Sequence, residues 1–457
     1  MLNANIVKND RGQTIVIYAL VVPILILFAG FAIDAGILYV TKAKISTAVD
    51  GATLTGMKNL QSGHATASLL AADMFAANYG AGAPTPTVTF PTDQYGDQQV
   101  QVSATVNVNT YFMRYLANWA TVPVADTAVS TRGKLVMSIV LDRSGSMTSD
   151  GGETALVNAV PLFVDKFDNT LDEVALLSFS SNARIDFPIA TGFQTPVTTA
   201  VQSMVFTGGT FGTGAGTKAI QSPTIGAPMS MADAQNQSVP INPGQNVIKV
   251  LVYFTDGLMN ASQDTFYCGP SAPSVLINYG GYDTGTNDVA FLDPTCSPAA
   301  SGSGCTNESG HTSQWYTFQP GSSTYFEYDA AGDKCTNSSG GYVTTFLSQQ
   351  TGLQTAFSRT NVTAETQYRA IQTAAAMRTE AVPTYIYTIG LGPSVSSATQ
   401  AFLGQLANDP SFPLTYITSQ PAGEFFWIQN CPGATCTADL NTAFQTIAAR
   451  VILRLTQ

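Results

Sequence analysis

The sequence predicts an α/β head built on a doubly wound parallel sheet, joined to an N-terminal transmembrane helix. Four strand candidates, at 135–141, 174–179, 247–254 and 384–390, are almost continuously apolar. Such runs are typical of strands that are buried on both faces of a parallel sheet. Helical patterns alternate with these strands, as a doubly wound domain requires. The predicted helices cover 153–168, 214–222, 364–380, 396–407 and 438–454.

The third observation is the long apolar segment near the N-terminus. Residues 15–33 contain no charged side chain, and a helix of this length can cross a bilayer. The alternatives are a buried core helix and a cleaved signal peptide, whose apolar core is shorter, at about 7–15 residues. Small and apolar residues continue at helical spacing, which predicts one helix from about Thr14 to Leu60 that packs against other helices. Asp34, at the outer edge of the span, is expected to pair with another subunit or to reach the lipid headgroups.

A small β-rich stalk is predicted between this helix and the head. Residues 64–85 indicate a helix that runs into an Ala/Gly/Pro linker, and β-structure is predicted from Val88 to Val129. Within it, residues 99–108 alternate apolar and polar side chains, as a strand with one solvated face does. Residues 110–120 predict a short apolar helix or turn. Pro161 should kink or break the first helix of the head. The predicted units are the transmembrane and extended helix (1–62), the linker helix and stalk (63–132) and the head (133–457).

The head is interrupted at about 258–363 by a segment rich in Gly, Ser, Thr, Asn and Tyr. It is far longer than an ordinary loop, so we expect an inserted, disulfide-rich subdomain. An even number of cysteines without a CxxC pair favours disulfides in an oxidising compartment over a zinc cluster, with free buried thiols as the alternative. Cys431 and Cys436 are expected to pair locally. The six cysteines are Cys268, Cys296, Cys305, Cys335, Cys431 and Cys436.

The composition restricts the possible partners. Charged residues make up 11% of the 457 residues, compared with about 25% in average soluble domains, which favours an extracytoplasmic protein. The net charge is −11 and no Lys/Arg cluster is present, whereas a nucleic-acid reader needs a basic face. We therefore expect no nucleic-acid partner. The acidic balance fits a protein that holds divalent cations, and it fits plain solubility equally well.

The motif that carries chemistry lies at the ends of the predicted strands. Asp142, Ser144 and Ser146 alternate along the loop that follows the first strand, so one carboxylate and two hydroxyls face the same side. Ligands bind at such carboxyl ends in open α/β sheets. Thr210 ends a TGGT segment, and Asp256 stands in TDG after the third strand. These hard oxygen donors suit Mg²⁺, or Ca²⁺ and Mn²⁺. The alternative is that all five are ordinary turn and cap residues.

The order DxSxS, GGT, TDG resembles the metal-ion-dependent adhesion site of von Willebrand factor A domains, over about 133–257 and 364–455. This resemblance implies a doubly wound, Rossmann-like parallel sheet with a Mg²⁺ site, or a Ca²⁺ or Mn²⁺ site. In the family, the hydroxyls usually coordinate the ion directly and the aspartates do so directly or through water. The implied ligands are Asp142, Ser144, Ser146, Thr210 and Asp256.

The N-terminal stretch RGQTIVIYALVVPILILFAGFAIDAG resembles TadE/TadG-like pilus assembly proteins, over about residues 9–56. This resemblance implies a single-pass anchor of the tight-adherence (Flp) pilus machinery in a bacterial inner membrane. The N-terminus would be cytoplasmic and the head periplasmic or otherwise extracytoplasmic. Other subunits of the pilus or secretion machinery are the implied partners.

Together these features predict a membrane-anchored pilus assembly or adhesion component. Its metal site would bind an acidic residue of a protein partner. The alternative is a scaffold module in which the metal is purely structural. An enzyme is not expected, because His64 and His311 are the only histidines, both lie outside the metal loops, and no GxSxG, HExxH or P-loop motif occurs.

Overall fold

The structure, a computed structural model, divides into two compact units, residues 1–132 and 133–455. The residues described are 11–60, 63–116, 118–143, 145–179, 183–204, 206, 228–257, 261–268, 275–282, 289–292, 315–318, 343–356, 358–393 and 395–455.

The N-terminal unit combines a 48-residue helix with a small antiparallel sheet. Its elements are α1 (Arg11–Lys58), α2 (His64–Tyr79), β1 (Thr87–Thr89), β2 (Gln98–Asn109), α3 (Met113–Leu116) and β3 (Thr121–Arg132). β2 lies in the centre and pairs antiparallel with both β1 and β3. The structure therefore contains the long helix, the linker helix and the strands that the sequence predicts here.

α1 has an exposed half and a buried half. Nearly all the side chains between residues 15 and 33 are exposed, and the helix is long and apolar enough to cross a membrane. Further along, a face of small and apolar residues is buried against α2 and the three-stranded sheet. This face, predicted to pack on other helices, therefore packs largely on the chain's own stalk. Its buried members include Ile45, Ala48, Val49 and Ala52.

The contacts of Asp34 differ from those predicted from the sequence. Its carboxylate is buried and accepts hydrogen bonds from the backbone N–H groups of Tyr111, Phe112 and Met113, at 2.9, 2.8 and 2.7 Å. These three amides lie at the start of α3, where a helix has free N–H groups. Pairing with another subunit or with headgroups was the wrong expectation, because the acceptor oxygens are already used inside the stalk.

The second unit contains two sheets and the helices that flank them. Its elements are β4 (Lys134–Asp142), α4 (Gly145–Ser149), α5 (Gly152–Val164), β5 (Glu173–Phe179), β6 (Ala183–Ala190), α6 (Gln194–Gln202), α7 (Pro228–Ser238), β7 (Val247–Thr255), β8 (Ala261–Cys268), β9 (Val275–Tyr282), β10 (Val289–Leu292), β11 (Trp315–Phe318), β12 (Val343–Leu347), β13 (Gln354–Ala356), α8 (Arg359–Arg378), β14 (Thr384–Leu391), α9 (Ser397–Ala407), β15 (Glu424–Ile428) and α10 (Cys436–Leu455).

The main sheet has the strand order β15-β14-β7-β4-β5-β6. Its first five strands are parallel, as predicted, but β6 runs antiparallel to β5. The expected all-parallel sheet is therefore a mixed one. The reason is the short connection at 180–182, since a parallel crossover needs a dozen or more residues whereas a hairpin needs few.

Helices cover both faces of this sheet, as a doubly wound domain requires. α5, α6 and α10 bury one face, where the rings of Phe163 and Phe444 stack at 4.6 Å. α7, α8 and α9 bury the other face. Pro161 was expected to kink or break α5, but the helix does not break there and continues to Val164. The helix predicted at 214–222 lies outside the described residues.

The segment at 258–363 contains all six strands of a second, antiparallel sheet, with the order β11-β10-β9-β8-β12-β13. Its predicted disulfide staples remain a prediction. Cys296, Cys305, Cys335 and the side chain of Cys268 lie outside the described residues. The local pair in the main α/β domain is present, since Cys431 and Cys436 form a disulfide across a Cα–Cα distance of 4.9 Å.

Candidate metal-binding site

The candidate site lies where β4 and β7 end. These strands are parallel neighbours, with Leu141 opposite Phe254, so the residues that follow lie at the same edge of the sheet. Asp142 is the last residue of β4, and Asp256 comes directly after β7. Their exposed fractions are only 4% and 8%. Two carboxylates are therefore buried side by side at the edge where α/β sheets bind ligands.

Thr255 links the two strand ends. Its Oγ1 donates a hydrogen bond to Asp142 Oδ2 at 2.7 Å, and it accepts one from the backbone N–H of Gly257 at 3.2 Å. Thr255 therefore orients the Asp142 carboxylate and also holds the turn that carries Asp256. This role was not evident from the sequence, although Thr255 is the first residue of the TDG segment and lies next to Asp142 in the register of the sheet.

Asp256 has the most perturbed carboxyl group of the site. Burial raises its pKa to about 8, and the nearby charges of Asp142 and Asp150 act in the same direction. A hydrogen bond from Ser146, on α4, acts against this rise. One carboxyl oxygen, Oδ2, is buried without a hydrogen-bond partner among the described residues. A buried polar atom of this kind is costly unless something binds it.

The structure thus brings together three of the five predicted ligands, Asp142, Ser146 and Asp256. Ser144 and Thr210 lie outside the described residues and remain predictions. Within the described part of the chain, no group of three or more His, Cys, Asp or Glu side chains is placed to hold a metal ion. A cation at this edge would therefore need hydroxyl oxygens in addition to carboxylates.

A third carboxylate near the site, Asp150, was not predicted from the sequence. It follows α4, and its Oδ2 lies so near Gly392 that a Cβ built there would approach it to 2.7 Å. Gly392 follows β14 and has a φ of +91°, a conformation that favours glycine. The DRSGSMTSD segment contained this second aspartate, but only the fold shows that α4 returns it to the sheet edge.

The Thr255 hydroxyl gives a direct test of how the site is held. We expect Thr255→Val to destabilise the cation-free head by about 1.5–3 kcal/mol, because a buried carboxylate loses a charge-assisted donor. The free energy of unfolding is measured by denaturant titration of the full chain in detergent. Thr442→Val is the matched control, because Thr442 is exposed and its hydroxyl donates to the Ala438 carbonyl of the same helix. Equal losses in the two variants would contradict the role given to Thr255.

Two protein families match parts of this chain. Residues 137–281 match the von Willebrand factor type A domain family, and residues 12–72 match the family described as putative Flp pilus-assembly TadE/G-like. This chain therefore combines a TadE/G-like pilus-assembly segment with a von Willebrand factor type A domain, as both sequence resemblances predicted. Among curated proteins, none matches the chain.

Several solved structures are similar to this chain. The pilus adhesin SpaC from Lactobacillus rhamnosus GG is 11% identical with a TM-score of 0.36, over 82% of this chain and 34% of the adhesin. The present chain thus spans about a third of that adhesin's length. The PilB minor pilin from Streptococcus sanguinis is 12% identical with a TM-score of 0.37, over 81% and 78%. The vWF domain of the type V pili tip protein Mfa5 from Porphyromonas gingivalis is 14% identical with a TM-score of 0.37, over 71% and 97%.

Proposed function

We propose that this protein is a membrane-anchored pilus assembly or adhesion component that binds a protein partner through a divalent cation. Asp142, Ser144, Ser146, Thr210 and Asp256 would hold Mg²⁺, or Ca²⁺ or Mn²⁺. The observation that carries the proposal is the buried Asp256 Oδ2, which has no hydrogen-bond partner among the described residues. It lies beside a second buried carboxylate, Asp142. A cation bound to both carboxylates would offset the repulsion between them.

The donor set suits adhesion better than catalysis. Two carboxylates balance the charge of a divalent ion and the hydroxyl donors are neutral, so such an ion gains no excess negative charge and keeps coordination positions open to a further oxygen ligand. An acidic side chain of a partner fits such a position. The TadE/G-like segment supports other subunits of the pilus or secretion machinery as partners. The chain then acts by binding alone, without an enzymatic step.

The anchoring part of the proposal rests on α1. We place its exposed apolar half across a bacterial inner membrane as a single pass, with the N-terminus in the cytoplasm and the head in the periplasm. The length and composition of the helix support the span. The Cys431–Cys436 disulfide supports an oxidising compartment for the head.

Photo-crosslinking in cells of the source organism tests the partner contact. A photoreactive amino acid is placed at Thr148, an exposed position on α4 two residues from Ser146. We expect a crosslinked partner in the native background and its loss after EDTA treatment or in the Asp142→Asn variant. Asp165→Asn changes an exposed aspartate at the end of α5 and should leave the crosslink intact. A crosslink that persists with EDTA and with Asp142→Asn would refute metal-dependent binding.

The second candidate is a scaffold module in which the metal only stabilises the fold. The burial of Asp142 and Asp256 favours it, since a cation is useful to these carboxylates even without a partner. It predicts that Mg²⁺ raises the melting temperature of the head, while the crosslink from position 148 is absent or insensitive to EDTA.

The raised pKa of Asp256 makes cation binding depend on pH. In the unfolded chain this carboxyl has its ordinary pKa of 3.8, whereas in the folded protein the pKa is about 8. Its contribution to the stability of the cation-free head is therefore greatest below about pH 4 and is lost as the pH rises towards 8. Protons compete with the cation over the same range.

We expect Mg²⁺ to bind more weakly at pH 6 than at pH 8.5, as measured by isothermal titration calorimetry. A pH-independent affinity would contradict this proton competition.

A further inference from the structure

Exposed aromatic side chains are concentrated in the segment between β2 and β3. We call residues 110–116 and 118–120, which include α3, the aromatic loop. Its Tyr111, Tyr115 and Trp119 are 63%, 83% and 56% exposed, and Phe112 is also partly exposed. A group of large aromatic side chains on one short surface segment marks a site that contacts something else, rather than an ordinary solvated turn.

The aromatic loop is fixed at one particular height along α1. Asp34 accepts three hydrogen bonds from its backbone, at Tyr111, Phe112 and Met113. One helical turn earlier, the Phe112 ring lies directly on Gly30, where an added Cβ would come within 2.4 Å of the ring. Four helical residues correspond to about 6 Å, so the loop spans the level at which the uncharged part of α1 ends.

We propose that the aromatic loop inserts into the headgroup and acyl boundary of the leaflet from which α1 emerges, with bilayer lipid as its occupant. This inference rests on the membrane anchoring proposed above. Trp and Tyr are enriched at that boundary, where an apolar ring and a polar tip are both accommodated. The contact of Phe112 with Gly30 makes the loop continuous with the membrane span itself. The stalk would then touch the bilayer at two places, through α1 and through this loop.

Fluorescence of Trp119 tests the contact. The chain has three tryptophans, so Trp315→Phe with Trp427→Phe leaves Trp119 alone. The full-length protein is reconstituted in nanodiscs of phosphatidylethanolamine and phosphatidylglycerol. We expect lipid brominated near the headgroup to reduce the Trp119 emission about twofold or more. Lipid brominated near the end of its acyl chains should reduce it less. Trp119→Phe with Trp315→Phe leaves only Trp427, on β15 of the head, and should show no quenching.

The outcomes separate this inference from the anchoring proposal. A chain that does not enter nanodiscs, and that alkaline carbonate extracts from membranes, would contradict the anchor. If the chain enters the bilayer but Trp119 is not quenched, the contact between the loop and lipid is overturned. A loop that is covered by a second copy or by another protein would overturn it as well. Should the double substitution unfold the head, 5-fluorotryptophan in the native sequence provides a second readout. The resonance lost in Trp119→Phe should be broadened by lipid with a spin-labelled headgroup, and an unbroadened resonance would equally overturn the contact.

Discussion

The substitution Asp142→Asn is expected to abolish the stabilisation of the head by Mg²⁺ and to leave the cation-free protein at least as stable as the native one. A ligand present at a hundred times its dissociation constant stabilises the folded state by about 2.7 kcal/mol, which the variant should lose. The cation-free form should tolerate the change for two reasons. An amide oxygen can still accept the hydrogen bond from Thr255, and the charge that helps to raise the pKa of Asp256 is removed.

Thermal unfolding of the full chain measures both halves of this expectation, with EDTA and with Mg²⁺ at pH 8. Native protein should melt at a higher temperature with Mg²⁺, and Asp142→Asn should melt at the same temperature under both conditions. The exposed Asp165→Asn should behave as the native protein does. A Mg²⁺ shift retained in Asp142→Asn would place the cation elsewhere. A large loss of stability in EDTA would mean that the Asp142 charge is needed for folding itself.

The sequence predicted the edge of the sheet on which the site lies because the strands that carry it are so apolar. β4 and β7 are nearly continuous buried runs, so the polar residues that follow, Asp142 and Asp256, are evident from the sequence alone. β6 was missed for the opposite reason. It contains Arg184 and Asp186, which form an ion pair at 2.6 Å, and such an edge strand lacks the apolar pattern that marks a central one.

Contacts between residues distant in sequence were beyond prediction. Asp150 reaches the site only because α4 folds back towards Gly392, more than two hundred residues later in the chain. Asp34 was interpreted from the hydropathy of an isolated helix, whereas its three donors lie 77 to 79 residues further on. Hydropathy places a carboxylate at the end of an apolar span, but it contains no information about which backbone amides will meet it.

The second large effect is expected from Asp34→Ala. The substitution removes the acceptor of three backbone amides at once, and alanine offers no replacement. Hydrogen bonds to a charged group are among the stronger ones, and amides that lose them open more often. We expect hydrogen exchange at Tyr111, Phe112 and Met113 to accelerate on the order of a hundredfold, as measured by mass spectrometry on the full chain in nanodiscs.

Asp126→Ala is the matched control for this effect, because it removes an aspartate from the same unit. Asp126 forms an ion pair with Lys42 at 2.8 Å, and both side chains are partly exposed, so solvent screens the pair and its loss should change exchange little. Asp34→Asn should be intermediate, since its amide keeps one acceptor oxygen. If Asp34→Ala and Asp126→Ala accelerated exchange equally, the start of α3 would be held by its packing rather than by the carboxylate. A graded series from Asp to Asn to Ala at position 34 would identify the acceptor oxygens themselves as what holds the aromatic loop against α1.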